Sequence, residues 1–145
     1  MPVRQYVYLA LSSHLTSATE MTVALGVEPD RATIRGSRRT EPAAVPVAHR
    51  WIVECRDSGL AVDGRIARIL KRLTPHADAI AALVTRLDAE SEAGPSAILE
   101  VVRYFNGPEQ HSSTGILGWH LGRDVLDFLH ATGVALDIDE YDNGS

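Results

Sequence analysis

Two helix-period stripes stand back to back in the middle of this chain, with strand-like runs on both sides of them. Val62, Ile66, Ile69, Leu70 and Leu73 recur at the spacing that lines one helix face, and Ile80, Leu83, Val84 and Leu87 repeat it. Thr74-Pro75 divides the stripes. Thr74 is expected as an N-cap, because its hydroxyl can accept from a free backbone N–H, and Pro75 suits a first helical position. Two consecutive helices between strands interrupt regular βα alternation, which favours an α+β layer.

The flanking runs supply the strands. Tyr6-Val7-Tyr8-Leu9-Ala10-Leu11 is aromatic and apolar and reads as a central strand. Ser17-Ala18-Thr19-Glu20 matches a capping box, so a short helix is expected over residues 17–25, closed by Gly26. A brief strand near Thr33–Arg35 precedes a Pro- and Arg-rich loop. In the strand from His49 to Arg56, Trp51, Val53 and Cys55 share one face. Asp88 to Pro95 reads as an acidic loop and Ala97 to Phe105 as a strand with apolar residues on both faces. A weaker strand is expected over Gly115–His120, where glycines lower its propensity. Leu121, Val125, Leu126 and Leu129 mark a last helix, ended by Gly133. In the closing strand from Val134 to Asp139, Leu136 and Ile138 should face inward, and Asp137 and Asp139 outward.

The expected fold is therefore α+β: a mainly antiparallel sheet of about five to six strands with helices packed on one face. Residues 1–145 fit a single domain. A chain of 15.7 kDa buries about 68% of its unfolded surface, enough for a core without disulfides. Cys55 is the only cysteine, so neither an internal disulfide nor a cysteine-based zinc cluster can form. No apolar run reaches the ~18 residues of a membrane span. Met1-Pro2-Val3-Arg4 lacks the apolar region of a signal peptide, and a cytoplasmic location is the expectation.

Charge is divided unevenly. Residues 1–72 hold 11 basic and 7 acidic residues, and residues 73–145 hold 3 basic and 12 acidic. The net charge of −5 argues against nucleic-acid binding, which draws on phosphate neutralisation. The strongest basic feature is the set Arg31, Arg35, Arg38 and Arg39. Guanidinium forks suit carboxylate or phosphate, so this loop is a candidate site for a small anionic ligand or an acidic protein surface. Its plainer reading is a solvated loop, paired in part with the acidic half of the same chain.

Other chemistry is weaker. Asp137, Asp139, Glu140 and Asp142 offer hard oxygens for Ca²⁺ or Mg²⁺, but Tyr141 stands where an EF-hand loop needs its third ligand. They are read as strand-edge charges, and no metal or other cofactor is expected. Among the six histidines none shows zincin spacing. Ser113, His120 and Asp124 can be drawn as a triad, yet no nucleophile elbow accompanies them. Cys55, on the Trp51 face of its strand, is expected to be inert packing.

The strand–short helix unit ending Leu25-Gly26-Val27-Glu28-Pro29, the strand bearing Trp51, the helical pair joined at Leu73-Thr74-Pro75, and the terminal Leu136-Asp137-Ile138-Asp139-Glu140-Tyr141 line up together. In these pieces the chain resembles the bacterial domain of unknown function family 4279, over about residues 5–141. The resemblance implies a small cytoplasmic α+β domain with no established activity and no catalytic residues to carry over. By analogy alone it suggests a partner-neutralising, immunity-protein-like role. The leading expectation is a non-enzymatic module that binds an unknown protein partner or small anion, without nucleic acid or membrane. Two alternatives stand beside it: a self-associating homodimer, and a small hydrolase or transferase using the His111–Asp124 region.

Overall fold

The structure is a computed structural model, and it describes residues 3–36, 48–55, 57, 59–92, 94–106 and 118–143. Among these residues, strand β1 (Val3–Ser13) is followed by helix α1 (Ala18–Leu25) and strands β2 (Arg31–Thr33) and β3 (His49–Cys55). Helices α2 (Val62–Leu73) and α3 (Ala77–Glu90) come next, then strand β4 (Ala97–Phe105), helix α4 (Arg123–Thr132) and strand β5 (Ala135–Asp142). The sheet order is β2-β3-β1-β4-β5. The pairs β2–β3, β3–β1 and β1–β4 are antiparallel, and β4–β5 is parallel. The fold is α+β with a mixed, mostly antiparallel sheet of five strands, the lower end of the expected number.

Local signals explain the helix ends. Ser17 Oγ accepts from the Glu20 amide at 3.1 Å, and the Glu20 carboxylate accepts from the Ser17 amide at 3.1 Å, which completes the capping box. Gly26 and Gly133 take the left-handed conformation, with φ of 71° and 78°, and close α1 and α4. Thr74 departs from its expected N-cap role. Its hydroxyl donates back to the Leu70 carbonyl at 2.7 Å, as threonine does inside a helix, so it ends α2. A single 3-10 turn over Thr74–His76, with Pro75 in it, then leads into α3. That helix runs to Glu90, past the loop start expected at Asp88.

The core forms on one face of the sheet. Val7, Leu9 and Leu11 of β1, Trp51, Val53 and Cys55 of β3, and Ala97, Leu99 and Val101 of β4 join one buried cluster. The stripe Val62, Ile66, Ile69, Leu70 and Leu73 of α2 and the stripe Ile80, Leu83, Val84 and Leu87 of α3 complete it, as their spacing requires. Met21 of α1 and Phe128 of α4 are also buried there. Trp51 is fully buried and donates its indole N–H to Thr22 Oγ1 at 3.1 Å, which ties α1 to the sheet. Cys55 is buried, as expected.

Four further expectations need correction. Gly118, Trp119 and His120 are irregular rather than strand, and the rest of that segment lies outside the described residues. Leu126 is 51% exposed, because the inward stripe of α4 runs through Val125 and Phe128 instead. Ile138 is 43% exposed, since β5 is an edge strand with a neighbour on one side only. The short strand β2 falls on Arg31–Thr33, shifted from Thr33–Arg35.

Leu99 lies in a strand paired on both sides and is fully buried, so its removal leaves a cavity that the sheet cannot close. Leu99→Ala should cost about 2–5 kcal/mol in urea unfolding. Leu126→Ala on exposed α4 should stay within about 0.5 kcal/mol. Equal losses at the two positions would contradict this packing.

Candidate functional site

The sheet face opposite the core cluster is built of cross-strand rows. One row runs Glu54, Tyr8, Glu100, Asp137 across β3, β1, β4 and β5. The next runs Tyr6, Val102, Asp139, and the one after it Arg4, Tyr104, Tyr141. Glu100 thus faces Asp137 directly across the parallel pair, with Asp139 on the diagonal. Glu100, Asp137 and Asp139 each present a carboxylate oxygen, and the three atoms lie within 4.8 Å of one another. Glu100 is only 2% exposed, Asp139 is half-buried and Asp137 is exposed.

Tyrosine rings border these carboxylates. Tyr6 and Tyr8 stack with centroids 6.4 Å apart, Tyr6 and Tyr104 meet at 6.2 Å, and Tyr104 and Tyr141 stack at 5.1 Å. The band therefore continues across β1, β4 and β5. Guanidinium groups lie against its outer rings: Arg4 at 4.7 Å from the Tyr104 centroid and Arg50 at 5.8 Å from Tyr8.

The electrostatics of the cluster are one-sided. Burial pushes the Glu100 carboxyl up to about 8, and hydrogen bonding to Asp139 and Asp137 and their negative charges push the same way. Glu100 Oε1 is shielded from solvent and has no hydrogen-bond partner. Among the described residues no lysine or arginine pairs with Glu100, Asp137 or Asp139. The hydroxyl contact with Tyr104, 3.5 Å away, raises Tyr6 to about 12, with burial adding to the effect. Asp139 is the largest cause of a raised Tyr141. A positive charge beside Asp137 and Asp139 would oppose the part of the Glu100 and Tyr141 shifts that comes from neighbouring negative charge.

The arginine set is placed differently. Arg31 lies on edge strand β2, and its Nε donates to Glu54 Oε2 at 3.2 Å. Arg35 is exposed, and its amide donates to His49 Nδ1 at 3.1 Å. Arg38 and Arg39 lie outside the described residues, as do His111 and Ser113. Arg31 pairs with an acid of the basic half rather than of the acidic half, and Arg68–Asp57 and Arg72–Asp30 also lie within the basic half. His120 is well exposed and lies 3.1 Å from Asp63 at the start of α2.

Asp137 and Asp139 point away from the core face, as their alternation predicts. The residue that sequence reasoning missed is Glu100. Its one sequence signal is a lone acid in the otherwise apolar run Ala97–Val102. A separate cleft of about 270 Å³ opens beside Ser13, His14 and Glu90. The Ser13 hydroxyl there is committed to structure: it accepts from the Leu15 and Thr16 amides at 3.0 and 2.9 Å and donates to Glu90 at 3.1 Å.

The profile of a family described as a domain of unknown function (DUF4279) matches residues 3–143. The chain belongs to that family. No curated protein and no solved structure matches it. No described helix of this DUF4279 domain is long and apolar enough to cross a membrane.

Glu100 of the DUF4279 domain makes stability depend on pH with a defined sign. The folded chain holds its proton up to about pH 8, whereas the unfolded chain releases it near 4.5. Between those values the unfolded state binds fewer protons, so stability falls as pH rises and levels off above the folded value. Below the unfolded value both states are protonated and the contribution is constant. Denaturation in EDTA should show the wild type losing more stability than Glu100→Gln between pH 4.5 and 8. Parallel profiles would show that Glu100 ionises normally in the fold.

Proposed function

We propose that this chain is a non-enzymatic binding module that takes a positively charged group on the sheet face opposite its core. The observation that carries the reading is Glu100: a carboxyl 2% exposed, set against Asp137 and Asp139, with an oxygen lacking any partner. Burying such a group costs about 1–3 kcal/mol unless something satisfies it. The tyrosine band supports the same ligand class, because ring faces attract cations.

The arginine loop fits an anion less well than the acidic face fits a cation. Arg31 already has Glu54 as its partner, whereas the three clustered carboxyls have no basic partner among the described residues. In a protein complex the cation would be a lysine or arginine of the partner, consistent with a partner-neutralising role.

The test is an NMR titration of the full chain with spermidine, a lysine-rich peptide, Ca²⁺ and Mg²⁺. At least one cation should shift resonances of β4 and β5 in a saturable way, and the doubly substituted Asp137→Asn, Asp139→Asn chain should bind it at least ~10-fold more weakly. Saturable shifts confined to Arg31, Arg35 and β2, or unchanged binding by the double variant, would refute the reading.

A further inference from the structure

Resting on that reading, a sharper statement is possible about the class of cation. We propose that the group held by Glu100, Asp137 and Asp139 is a hard divalent metal ion of the Ca²⁺ or Mg²⁺ type, bound through one carboxylate oxygen of each residue. The three oxygens converge within 4.8 Å of one another. With metal–oxygen distances of roughly 2.3–2.6 Å for Ca²⁺, ligands on opposite sides of one ion are separated by about 5 Å or less. One ion can therefore touch all three residues.

Burial selects a small ion over an organic cation. Glu100 is 2% exposed, and its row-mates Tyr8 and Asp137 and strand neighbours Ile98 and Val102 surround it on this face. An ammonium or guanidinium arrives on an alkyl stem, which has to be accommodated beside the enclosed Glu100 carboxyl as well. An ion reaches the buried oxygen and keeps water on its outer side, where Asp137 is exposed and Asp139 half-buried. The unpartnered Glu100 Oε1 is the second sign of a missing ligand, independent of the clustering of acids.

Ligand type and rigidity narrow the choice further. Carboxylate oxygens favour hard ions, and the single cysteine, Cys55, lies in the core cluster on the other side of the sheet. All three ligands stand on the paired strands β4 and β5, so the ladder fixes their spacing without a dedicated loop. This explains how the terminal acids can bind an ion although their spacing fails as an EF-hand: the missing ligand comes from another strand, 37 residues before Asp137 in the chain.

The experiment uses the full chain stripped with EDTA and titrated with Tb³⁺ as a luminescent stand-in for Ca²⁺. Excitation of the nearby tyrosines should give sensitised emission that saturates near one Tb³⁺ per chain and is displaced by Ca²⁺ or Mg²⁺. Glu100→Gln and Asp137→Asn should each weaken binding at least ~10-fold, whereas Asp78→Asn on α3 should not change it. Asp137 is exposed, so its variant remains informative if Glu100→Gln fails to fold. The same ions should raise the melting temperature of the wild type and not of either variant.

No saturable emission, or equal emission from wild type and Asp137→Asn, overturns the metal assignment. If spermidine or the lysine-rich peptide still titrates against Asp137 and Asp139, the wider reading as a cation-binding module survives without the metal. If no cation binds at all, both fall.

Discussion

The long central strand β1 is the constraint on which the rest of the molecule depends. It pairs with β3 from Val7 to Ser13 and with β4 from Val3 to Leu11. A strand bonded on both edges has its register fixed, and a one-residue slip would turn every side chain to the wrong face. Val7, Leu9 and Leu11 must then meet the helices, and Tyr6, Tyr8 and Ala10 must meet the other side. The same alternation passes through the ladders to β3 and β4. The core and the acidic face are the two sides of one pairing decision.

Strand β5 gathers the acids of this face. It joins β4 in parallel after α4, and in this register Leu136 lies beside Leu99 while Asp137 lies beside Glu100. Both pairings are set together. Leu136 packs against the core cluster, so a slip that separated the acids would also turn Leu136 away from it. Apolar burial on one face thus holds like charges together on the other, where pairing alone would disfavour them. On the core side of the same strand pair, the buried Arg103 meets Glu140 at 3.2 Å and lies 4.8 Å from the Phe105 ring. That charge has a partner of opposite sign. The acids behind it have none among the described residues.

Much of this could be read from sequence where the determinants are local. The Ser17–Glu20 capping box, the glycine stops at Gly26 and Gly133, the stripes of α2 and α3 and the inward face of Trp51 each depend on residues within a turn or two of one another. Thr74 was misread because a threonine hydroxyl can serve the helix before it as readily as the one after it. The parallel partner of β4 was not legible, because nothing local in Ala97–Phe105 or Ala135–Asp142 states which strand will lie beside which. Glu100 was missed for the same reason. Within its own strand it looks like one acid in an apolar run, and it acquires meaning only when β5 brings two more.

The placement of Glu100 is hard to account for as a packing choice. Ile98 and Val102 flank it on the same face of β4, and a β-branched residue between them would extend an apolar strip with high strand propensity. A carboxyl there loses its hydration, leaves one oxygen without a partner and faces two other acids. Each effect opposes folding, and they coincide on a central strand rather than on a loop where solvent would soften them. Natural sequences break local rules of this kind chiefly where a ligand later satisfies what the fold leaves open. The alternation of β5 repeats the pattern, with acids at Asp137 and Asp139 on the face where the neighbouring strands carry tyrosines. Three acids, contributed by two strands and converging where apolar side chains would be more stable, are the feature that the proposed cation-binding role accounts for and that packing alone does not.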